Sequence, residues 1–282
     1  MSDDGVRFVP ASSVSLEEYA AAFTAAFQGY QFPVAVDAAW LARRARIEQH
    51  DLGLSLLACE GGAVVGVAAL AIRGYEGWVC GFGVVPERRR RGLGREMMAA
   101  LVERARACGL LRLSLEVLAR NTAARLLYEG AGMRVTRDLL MLERPAPRPA
   151  GDATLKESAP SRLKEAPPAE LLGHFARLHA VAPAWQRDLA GLLVKRSRGL
   201  YLGPRERPRA YALLLEWEDG DTYFSDLAAA DAASADELSE SLACLAGTLK
   251  ILNEPEHSLF LGPLLERGFA ETERQHEMVM DL

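Results

Sequence analysis

The chain has 282 residues, of which 50% are hydrophobic and 25% are charged, a composition typical of a folded protein rather than a disordered one. Its net charge of -5 and isoelectric point near 5.7 argue against a general nucleic-acid-binding protein. No apolar run approaches the roughly 20 residues that span a bilayer, and the acidic start "MSDDGVRFVP" lacks a signal-peptide layout. We therefore expect a cytoplasmic protein that binds neither nucleic acid nor a membrane.

The first half of the chain is predicted to alternate between strands and helices. Ser15 and Glu18 have the spacing of a capping box at the start of a helix. Two apolar runs around Gly61 and Gly62 predict an antiparallel hairpin. The predicted strands are 6–10, 54–60, 63–73, 77–85, 110–118 and 134–144, and the predicted helices are 15–27, 37–50, 94–108 and 121–132.

Proline-rich sequence, "RPAPRPAG", follows and predicts a linker. Beyond it, 167–195 is predicted to be helical with a break near Pro183, and 209–229 to be a hairpin. A helix opening on a Ser-x-x-Glu pattern at Ser234, a strand at 250–252, a helix at 260–268 and a strand at 273–282 complete the chain. This order repeats that of 55–143, so we expect an internal repeat.

The four cysteines and five histidines are dispersed, with neither a C-x-x-C pair nor histidines at metal-ligand spacing. His174 and His179 are five residues apart in a helical segment, a spacing that does not stack them on one face. We therefore expect no metal site, and cysteines that stay reduced.

The stretch "VVPERRRRGLGREMM" separates a predicted strand from a predicted helix. Gly92 and Gly94 allow the backbone to approach a ligand closely, and the helix that begins there directs its positive end toward the loop. Such a loop suits a diphosphate, with arginines adding charge-assisted hydrogen bonds. The alternative is a solvated charge run in which the glycines merely turn the chain.

Two motifs resemble those of the GNAT N-acetyltransferases. The run from Arg89 to Gly94, "RRRGLG", is similar to the acetyl-CoA signature of that family, and "LEVLARNTAARLLYEGAGM" is similar to its second signature. The resemblance implies an α/β fold with a mostly antiparallel, twisted mixed sheet and helices on both faces. It also implies acetyl-CoA as cosubstrate and no metal.

The same resemblance assigns coenzyme contacts to matching positions. The pantetheine arm would pair with the backbone of the strand before the loop, and loop amides would hold the pyrophosphate. Asn121 would bind pantetheine or, equally, cap its own helix. The full coenzyme-binding set is Val84, Val85, Arg89, Arg90, Arg91, Gly92, Leu93, Gly94, Arg95, Asn121 and Tyr128.

Two residues are candidates for acid–base catalysis. Tyr128 falls where the family places a tyrosine that protonates the departing thiolate, although it also lies in an apolar helical stripe typical of a core aromatic. Glu116 interrupts an apolar strand, where a carboxylate should be paired or face a wet cleft. A similar glutamate in the ribosomal-protein N-terminal acetyltransferases is implicated as general base. Glu76 and an ordered water are the alternatives.

The second half lacks the glycine–arginine loop and resembles a degenerate copy of the same fold. We therefore expect tandem domains: a catalytic one at 1–145, a linker at 146–168 and a degenerate GNAT-like one at 169–282. The expected function is transfer of acetyl from acetyl-CoA to a primary amine of a small molecule or peptide by direct attack. A non-catalytic acyl-CoA-binding or scaffolding protein is the alternative. The expected state is a monomer or weak homodimer.

Overall fold

The structure is a computed structural model that describes residues 5–30, 35–146, 162–216 and 221–282. Most of the predicted linker and the tip of the second predicted hairpin lie outside the described residues. The strands are β1 Arg7–Pro10, β2 Leu56–Glu60, β3 Ala63–Arg73, β4 Glu76–Val84, β5 Arg112–Leu118, β6 Arg134–Arg144, β7 Lys164–Ala166, β8 Arg198–Leu202, β9 Ala210–Glu216, β10 Thr222–Ala229, β11 Leu249–Pro255 and β12 Ala270–Asp281. The α-helices are α1 Leu16–Ala26, α2 Ala38–Glu48, α3 Leu93–Ala107, α4 Thr122–Gly130, α5 Pro168–Leu172, α6 Phe175–Leu178, α7 Leu189–Leu192, α8 Ala232–Leu242 and α9 Leu261–Glu266.

The chain forms two compact units. The first contains Met1–Thr136 together with His276–Leu282, and the second contains Arg137–Gln275. These bounds differ from the predicted boundary at residue 145 and from the assignment of 276–282 to the second domain. The physical reason lies in β12, because Met278 and Met280 are buried in the core of the first unit. An alternating pattern of apolar residues suits the core of either unit. The sequence therefore does not predict that 276–282 pack in the first unit.

The first unit is built on a mostly antiparallel sheet, as the resemblance implies. Strands β1 to β4 are antiparallel neighbours in chain order, and β5 lies parallel to β4. The part of β12 that belongs to this unit lies on the other side of β5. The sequence predicted each of the elements β1 to β6 and α1 to α4 in the correct order.

Helices cover both faces of this sheet. Gly66 of β3 faces α3, because a Cβ there would lie 2.5 Å from the sulfur of Met97. Gly81 of β4 lies beside Ala69 and faces α1, where a Cβ would lie 2.6 Å from the Phe23 ring. Residues 66 and 69 are three apart on one strand, so they point to opposite faces.

The start of α1 is fixed by the predicted capping box. The amide of Glu18 donates to the Ser15 hydroxyl at 3.1 Å, and the Glu18 carboxylate accepts from the Ser15 amide at 2.8 Å. Two of the helix's otherwise unpaired N–H groups are thereby satisfied. The helix then buries Tyr19 and Phe23 against the sheet.

The second unit repeats the element order of the first. The hairpin β9–β10 is followed by α8, β11, α9 and β12, as β3–β4 is followed by α3, β5, α4 and β6. Strand β11 is parallel to β10, as β5 is to β4. The register slips by one residue in both hairpins, at Cys80 of β4 and at Ser225 of β10. The expected tandem architecture is confirmed.

Several details of the second unit differ from the predictions. Strands β7 and β8 were not predicted, and β7 falls within the predicted linker. The predicted helical segment at 167–195 is divided into α5, α6, a single 3-10 turn and α7. Helix α8 begins earlier than Ser234, because Asp231 is its N-cap and accepts from the Ser234 amide at 2.8 Å.

Candidate functional site

A cleft opens in the first unit where β4 and β5 separate. Within the described parts of these strands, they pair only through 76–78 and 112–114, ending at Trp78 and Ser114. Strand β4 then continues to Val84 and β5 to Leu118. The bulge at Cys80 lies two residues beyond Trp78, the last residue paired with β5, and increases the local twist. The two strands therefore diverge, and their backbones are not paired with each other beyond Trp78 and Ser114.

Glycines on β4 allow α1 to pack directly on the strand backbone. A Cβ at Gly83 would lie 2.9 Å from the Ala26 carbonyl oxygen, and one at Gly81 would overlap the Phe23 ring. Both distances are shorter than normal contacts. The "GFG" sequence after the bulge therefore fixes the end of α1 against the cleft.

The predicted phosphate-binding loop lies directly after β4. Arg90 and Gly92 both have positive φ, at 62° and 92°, and α3 begins at Leu93 with Gly92 as its N-cap. The N–H groups of residues 90–94 make no hydrogen bond within the part of the chain that the structure describes. Several donors at the positive end of a 15-residue helix form a site suited to an anion.

The arginines of this loop divide into two groups. Arg88 is paired with Glu60 at 2.8 Å. The Arg89 guanidinium donates to three carbonyl oxygens, those of Val84 at 2.8 Å, Gln28 at 2.6 Å and Ala26 at 3.2 Å. Arg89 thus ties the loop to the end of α1. Arg90, Arg91 and Arg95 are exposed and, unlike Arg88 and Arg89, are not drawn into these contacts, so they can reach a ligand phosphate.

The backbone at the end of β4 favours Val84 over Val85 as a coenzyme contact. The Val85 amide donates to Val65, and its carbonyl accepts from the Arg88 amide. Because hydrogen-bonded pairs alternate along an antiparallel ladder, the Val84 peptide groups face away from β3. The carbonyl oxygen of Val84 already accepts a hydrogen bond from Arg89. The backbone N–H of Val84 is therefore the group directed toward the cleft.

Asn121 is the N-cap of α4. Its side-chain oxygen accepts from the Ala124 amide at 3.2 Å. Of the two roles that the sequence allowed, helix capping is the one the geometry shows. The amide nitrogen of the same side chain is still a potential ligand donor.

Tyr128 lies on α4 and is buried, with 7% of its surface exposed. Its ring meets Phe82 of β4 edge-on, with ring centroids 5.9 Å apart. Burial, with a smaller contribution from Tyr30, raises the pKa of Tyr128 above its ordinary value. The hydroxyl therefore keeps its proton over the range in which an acetyl transfer would operate.

Glu116 lies on β5 beyond the last residue paired with β4, so it belongs to the cleft. Its carboxylate accepts a hydrogen bond from the Trp78 indole N–H at 2.7 Å. This bond bridges β4 and β5 at the point where the two strands part. Glu76, the alternative base, lies at the joined end and is ion-paired with Arg112 at 3.7 Å. The geometry favours Glu116 over Glu76 as the carboxylate of this cleft.

A charged cluster that the sequence did not predict lies beside the bulge. The Nε–H of Arg44 on α2 donates to Glu48 at 2.6 Å, and the guanidinium also donates to the Cys80 carbonyl at 3.3 Å. His50 Nε2 lies 2.9 Å from the same Glu48 oxygen. No periodicity or motif joins α2 to β4 in the sequence; only the packing of the helix reveals the cluster.

Three potential metal ligands occur in this cluster, with donor atoms of Glu48, His50 and Cys80 within 4.8 Å of one another. The surroundings of these three side chains disfavour the binding of a metal cation. The Arg44 guanidinium donates to Glu48 Oε2, the same oxygen that lies 2.9 Å from His50 Nε2, and its positive charge repels a cation. Burial, more than any neighbour, raises the pKa of the Cys80 thiol well above its ordinary value, which disfavours the thiolate. We therefore treat the cluster as a hydrogen-bonded ion network.

Charged side chains bridge the corresponding gap of the second unit. Strands β10 and β11 also pair over three residues and then part after Phe224 and Ile251. Arg187, which is 4% exposed, bridges them by contacting Asp226 of β10 at 3.5 Å and Glu254 of β11. Burial opposes the positive charge of Arg187, but these carboxylates raise its pKa.

The loop after β10 also differs from the loop after β4. The carboxylate of Asp231 caps α8 in place of a glycine-rich turn. A negative charge thus occupies the helix end where a phosphate would otherwise bind. Together with the buried Arg187 network, this arrangement disfavours a coenzyme in the second unit.

Comparison with known proteins identifies the class to which this architecture belongs. Residues 16–133 match the model of the Acetyltransferase (GNAT) family. They include the split strands, the loop after β4, and helices α3 and α4. This part of the first unit is therefore a GNAT-family domain.

One curated relative is similar to part of the chain. An uncharacterized N-acetyltransferase of Bacillus subtilis, YycN, is 39% identical over 66 residues, which are 23% of this chain and 42% of that protein. The match thus spans less than half the length of that relative.

Two solved structures share the fold over nearly the whole chain. A GCN5-related N-acetyltransferase from Sphaerobacter thermophilus has a TM-score of 0.67 and 16% identity, covering 100% of this chain and 96% of its own. A tandem GNAT protein from the clavulanic acid biosynthesis pathway has a TM-score of 0.63 and 14% identity, covering 98% of each chain.

None of the helices in the described residues has both the length and the hydrophobicity needed to cross a membrane.

Proposed function

We propose that the protein is an acetyl-CoA-dependent N-acetyltransferase whose first unit transfers acetyl to a primary amine. The observation that carries the proposal is the run of unpartnered N–H groups at 90–94, placed at the start of α3 beside the cleft between β4 and β5. These donors suit the pyrophosphate of the coenzyme. The cleft then receives the pantetheine arm, with Val84 as a backbone contact.

The reaction proposed is direct attack of a neutral amine on the thioester carbonyl. The amine nitrogen forms a bond to the carbonyl carbon, the carbon–sulfur bond breaks, and the coenzyme leaves as a thiolate. Holding both reactants in one cleft supplies much of the rate enhancement. Backbone N–H groups in the divergent part of β4 stabilise the developing negative charge on the carbonyl oxygen.

Two side chains move protons in this scheme. Glu116 accepts a proton from the amine, directly or through a water, because its carboxylate lies on the divergent part of β5. Tyr128 donates its proton to the leaving thiolate, and its raised pKa keeps the hydroxyl protonated until that thiolate forms. The protein needs no metal for these steps.

The second unit serves as structure rather than as a second transferase. Its gap holds the Arg187 network, and Asp231 lies where a phosphate would bind. We propose a cytoplasmic monomer or weak homodimer that takes a small-molecule or peptide amine as acceptor and binds one acetyl-CoA per chain.

A thiol-release assay with a panel of amines tests the function. Acetyl-CoA is supplied with small amines, amino acids, lysine peptides and peptide N-termini, and free thiol is measured with and without each acceptor. The proposal predicts release that depends on at least one amine. The alternative, a non-catalytic acyl-CoA-binding protein, would bind the coenzyme and release no thiol with any acceptor.

A further inference from the structure

A direct hydrogen bond joins β4 and β5 where the cleft begins. The indole N–H of Trp78 donates to Oε2 of Glu116 at 2.7 Å. Trp78 is the last residue of β4 that pairs with β5, and its partner in the register is Ser114. Partner residues share a face of the sheet, and so do residues two apart on one strand. Glu116 is therefore the diagonal neighbour of Trp78 on that face, within reach of its large side chain.

The two side chains of this bond differ in their exposure to solvent. Trp78 is 2% exposed, so its ring is held by the packing around it. Glu116 is only half-buried. The donor is thus a fixed group, whereas the carboxylate that it holds remains in contact with solvent at the mouth of the cleft.

The chemistry of the pair assigns a different role to each side chain. An indole N–H donates hydrogen bonds only, so Trp78 is not a carrier of the transferred proton. A carboxylate has two oxygens and about four lone-pair positions, so the bond at Oε2 of Glu116 does not prevent it from accepting a proton. Hydrogen bonds to an ionised acceptor are stronger than those between neutral groups. This bond therefore restrains a flexible side chain in one orientation.

The second unit lacks this pair at the corresponding positions. Tyr223 lies two residues before the bulge of β10, as Trp78 lies two residues before the bulge of β4. Tyr223 pairs with Lys250, and two residues further along β11 is Leu252, which is 47% exposed. A leucine accepts no hydrogen bond and no proton, so the role of Glu116 is not kept there. The unit with the glycine–arginine loop is the unit that has the pair.

We propose that Trp78 is a positioning residue of acetyl transfer, which holds the Glu116 carboxylate in the orientation that takes the proton from the acceptor amine. The inference rests on the proposed function, in which Glu116 is the general base. A base has to lie within hydrogen-bond reach of the proton that it removes, so its orientation affects the rate. Trp78 touches no reacting atom in this scheme and acts through Glu116.

Two replacements of Trp78 in the full chain remove the N–H donor. Trp78→Phe removes the donor together with part of the ring. Site-specific replacement of Trp78 by benzothienylalanine, in which sulfur takes the place of the N–H, keeps the size of the ring system. The second replacement therefore separates the loss of the donor from the loss of packing.

The comparison set contains Glu116→Gln, the double variant of Trp78→Phe with Glu116→Gln, and Trp185→Phe. Glutamine at 116 keeps an acceptor oxygen for the indole but is not a base. Trp185→Phe is the matched control, because it makes the same substitution in the second unit. The kcat value is measured by thiol release with the best acceptor of the amine panel, and acetyl-CoA affinity by calorimetry.

Both replacements of Trp78 should lower kcat about tenfold to a hundredfold, with acetyl-CoA affinity unchanged. The double variant should be no slower than Glu116→Gln, because Trp78 has nothing to position once the base is gone. The loss should shrink as pH approaches the pKa of the amine, about 8 for a peptide N-terminus and about 10.4 for lysine, because a free amine needs no base. Trp185→Phe should match the wild type.

Three outcomes would overturn the inference while leaving acetyl transfer intact. The benzothienylalanine protein could work at the wild-type rate, the two losses could multiply in the double variant, or acetyl-CoA affinity could fall as much as kcat. The third outcome would indicate a structural role for Trp78. A wild-type chain that binds acetyl-CoA but releases no thiol with any amine would instead reject the proposed function, and with it this inference.

Discussion

Replacing Gly92 by valine should abolish most of the affinity for acetyl-CoA while leaving the fold intact. Gly92 has φ of 92°, a conformation that a β-branched residue adopts only with strain of about 1–3 kcal/mol. Space is not the obstacle, since the nearest atom to an added Cβ is a Glu96 carboxylate oxygen at 3.7 Å. The loop would relieve the strain by turning its N–H groups away from the ligand.

The size of the effect follows from the donors lost. A hydrogen bond to a charged group contributes about 1.5–3 kcal/mol, so losing two phosphate contacts costs about 3–6 kcal/mol. This corresponds to a rise in Kd of roughly 100-fold to 10,000-fold. Combining Gly94→Val with Gly92→Val should lower the acetyl-CoA affinity further, because even the Cβ of a residue at position 94 would lie only 3.3 Å from Leu127.

Calorimetric titration with acetyl-CoA is the assay, and Gly109→Val is the control. Gly109 also has a positive φ, at 78°, follows the other end of α3, and has nothing within 4 Å of an added Cβ. The control should lose stability comparably but keep its coenzyme affinity. Wild-type affinity in the Gly92→Val, Gly94→Val double variant would refute the assignment of the loop.

Three further predictions concern stoichiometry and proton transfer. Titration of the full chain should end at one acetyl-CoA; an endpoint of two would show that the second unit still binds coenzyme. Tyr128→Phe should lower kcat with little change in coenzyme affinity. Because burial raises the pKa of Tyr128, ionisation of this tyrosine should not lower the activity of the wild type up to about pH 10. Glu116→Gln should lower activity most at low pH, where free amine is scarce, and the activity should recover partly as pH rises. An unchanged pH–rate profile would indicate that an ordered water, rather than Glu116, is the base.

Local pattern was enough to predict the elements of the first unit. The capping box at Ser15, the glycine hairpin at Gly61 and the strand–loop–helix around Gly92 are each specified by residues close in sequence. The conformation of each depends on residues within a few positions along the chain, so hydrophobic periodicity and turn residues suffice to predict it.

Features that depend on distant contacts were not predictable in this way. The Arg44 cluster requires α2 to pack against the bulge of β4. Arg89 is recognisable as a loop anchor only once the carbonyls at the end of α1 are placed beside it. The return of β12 to the first unit depends on which core accepts Met278 and Met280, and an alternating strand carries no information on that choice.

The central claim is that the first unit carries out acetyl transfer rather than coenzyme binding alone. Its most direct test is to measure free thiol and acetylated amine in the same reaction, for the wild type and for Gly92→Val. Our account predicts the two products in equal amounts with the wild type, and neither above background with the variant. Tight acetyl-CoA binding by the wild type with no acetylated product from any amine would contradict it.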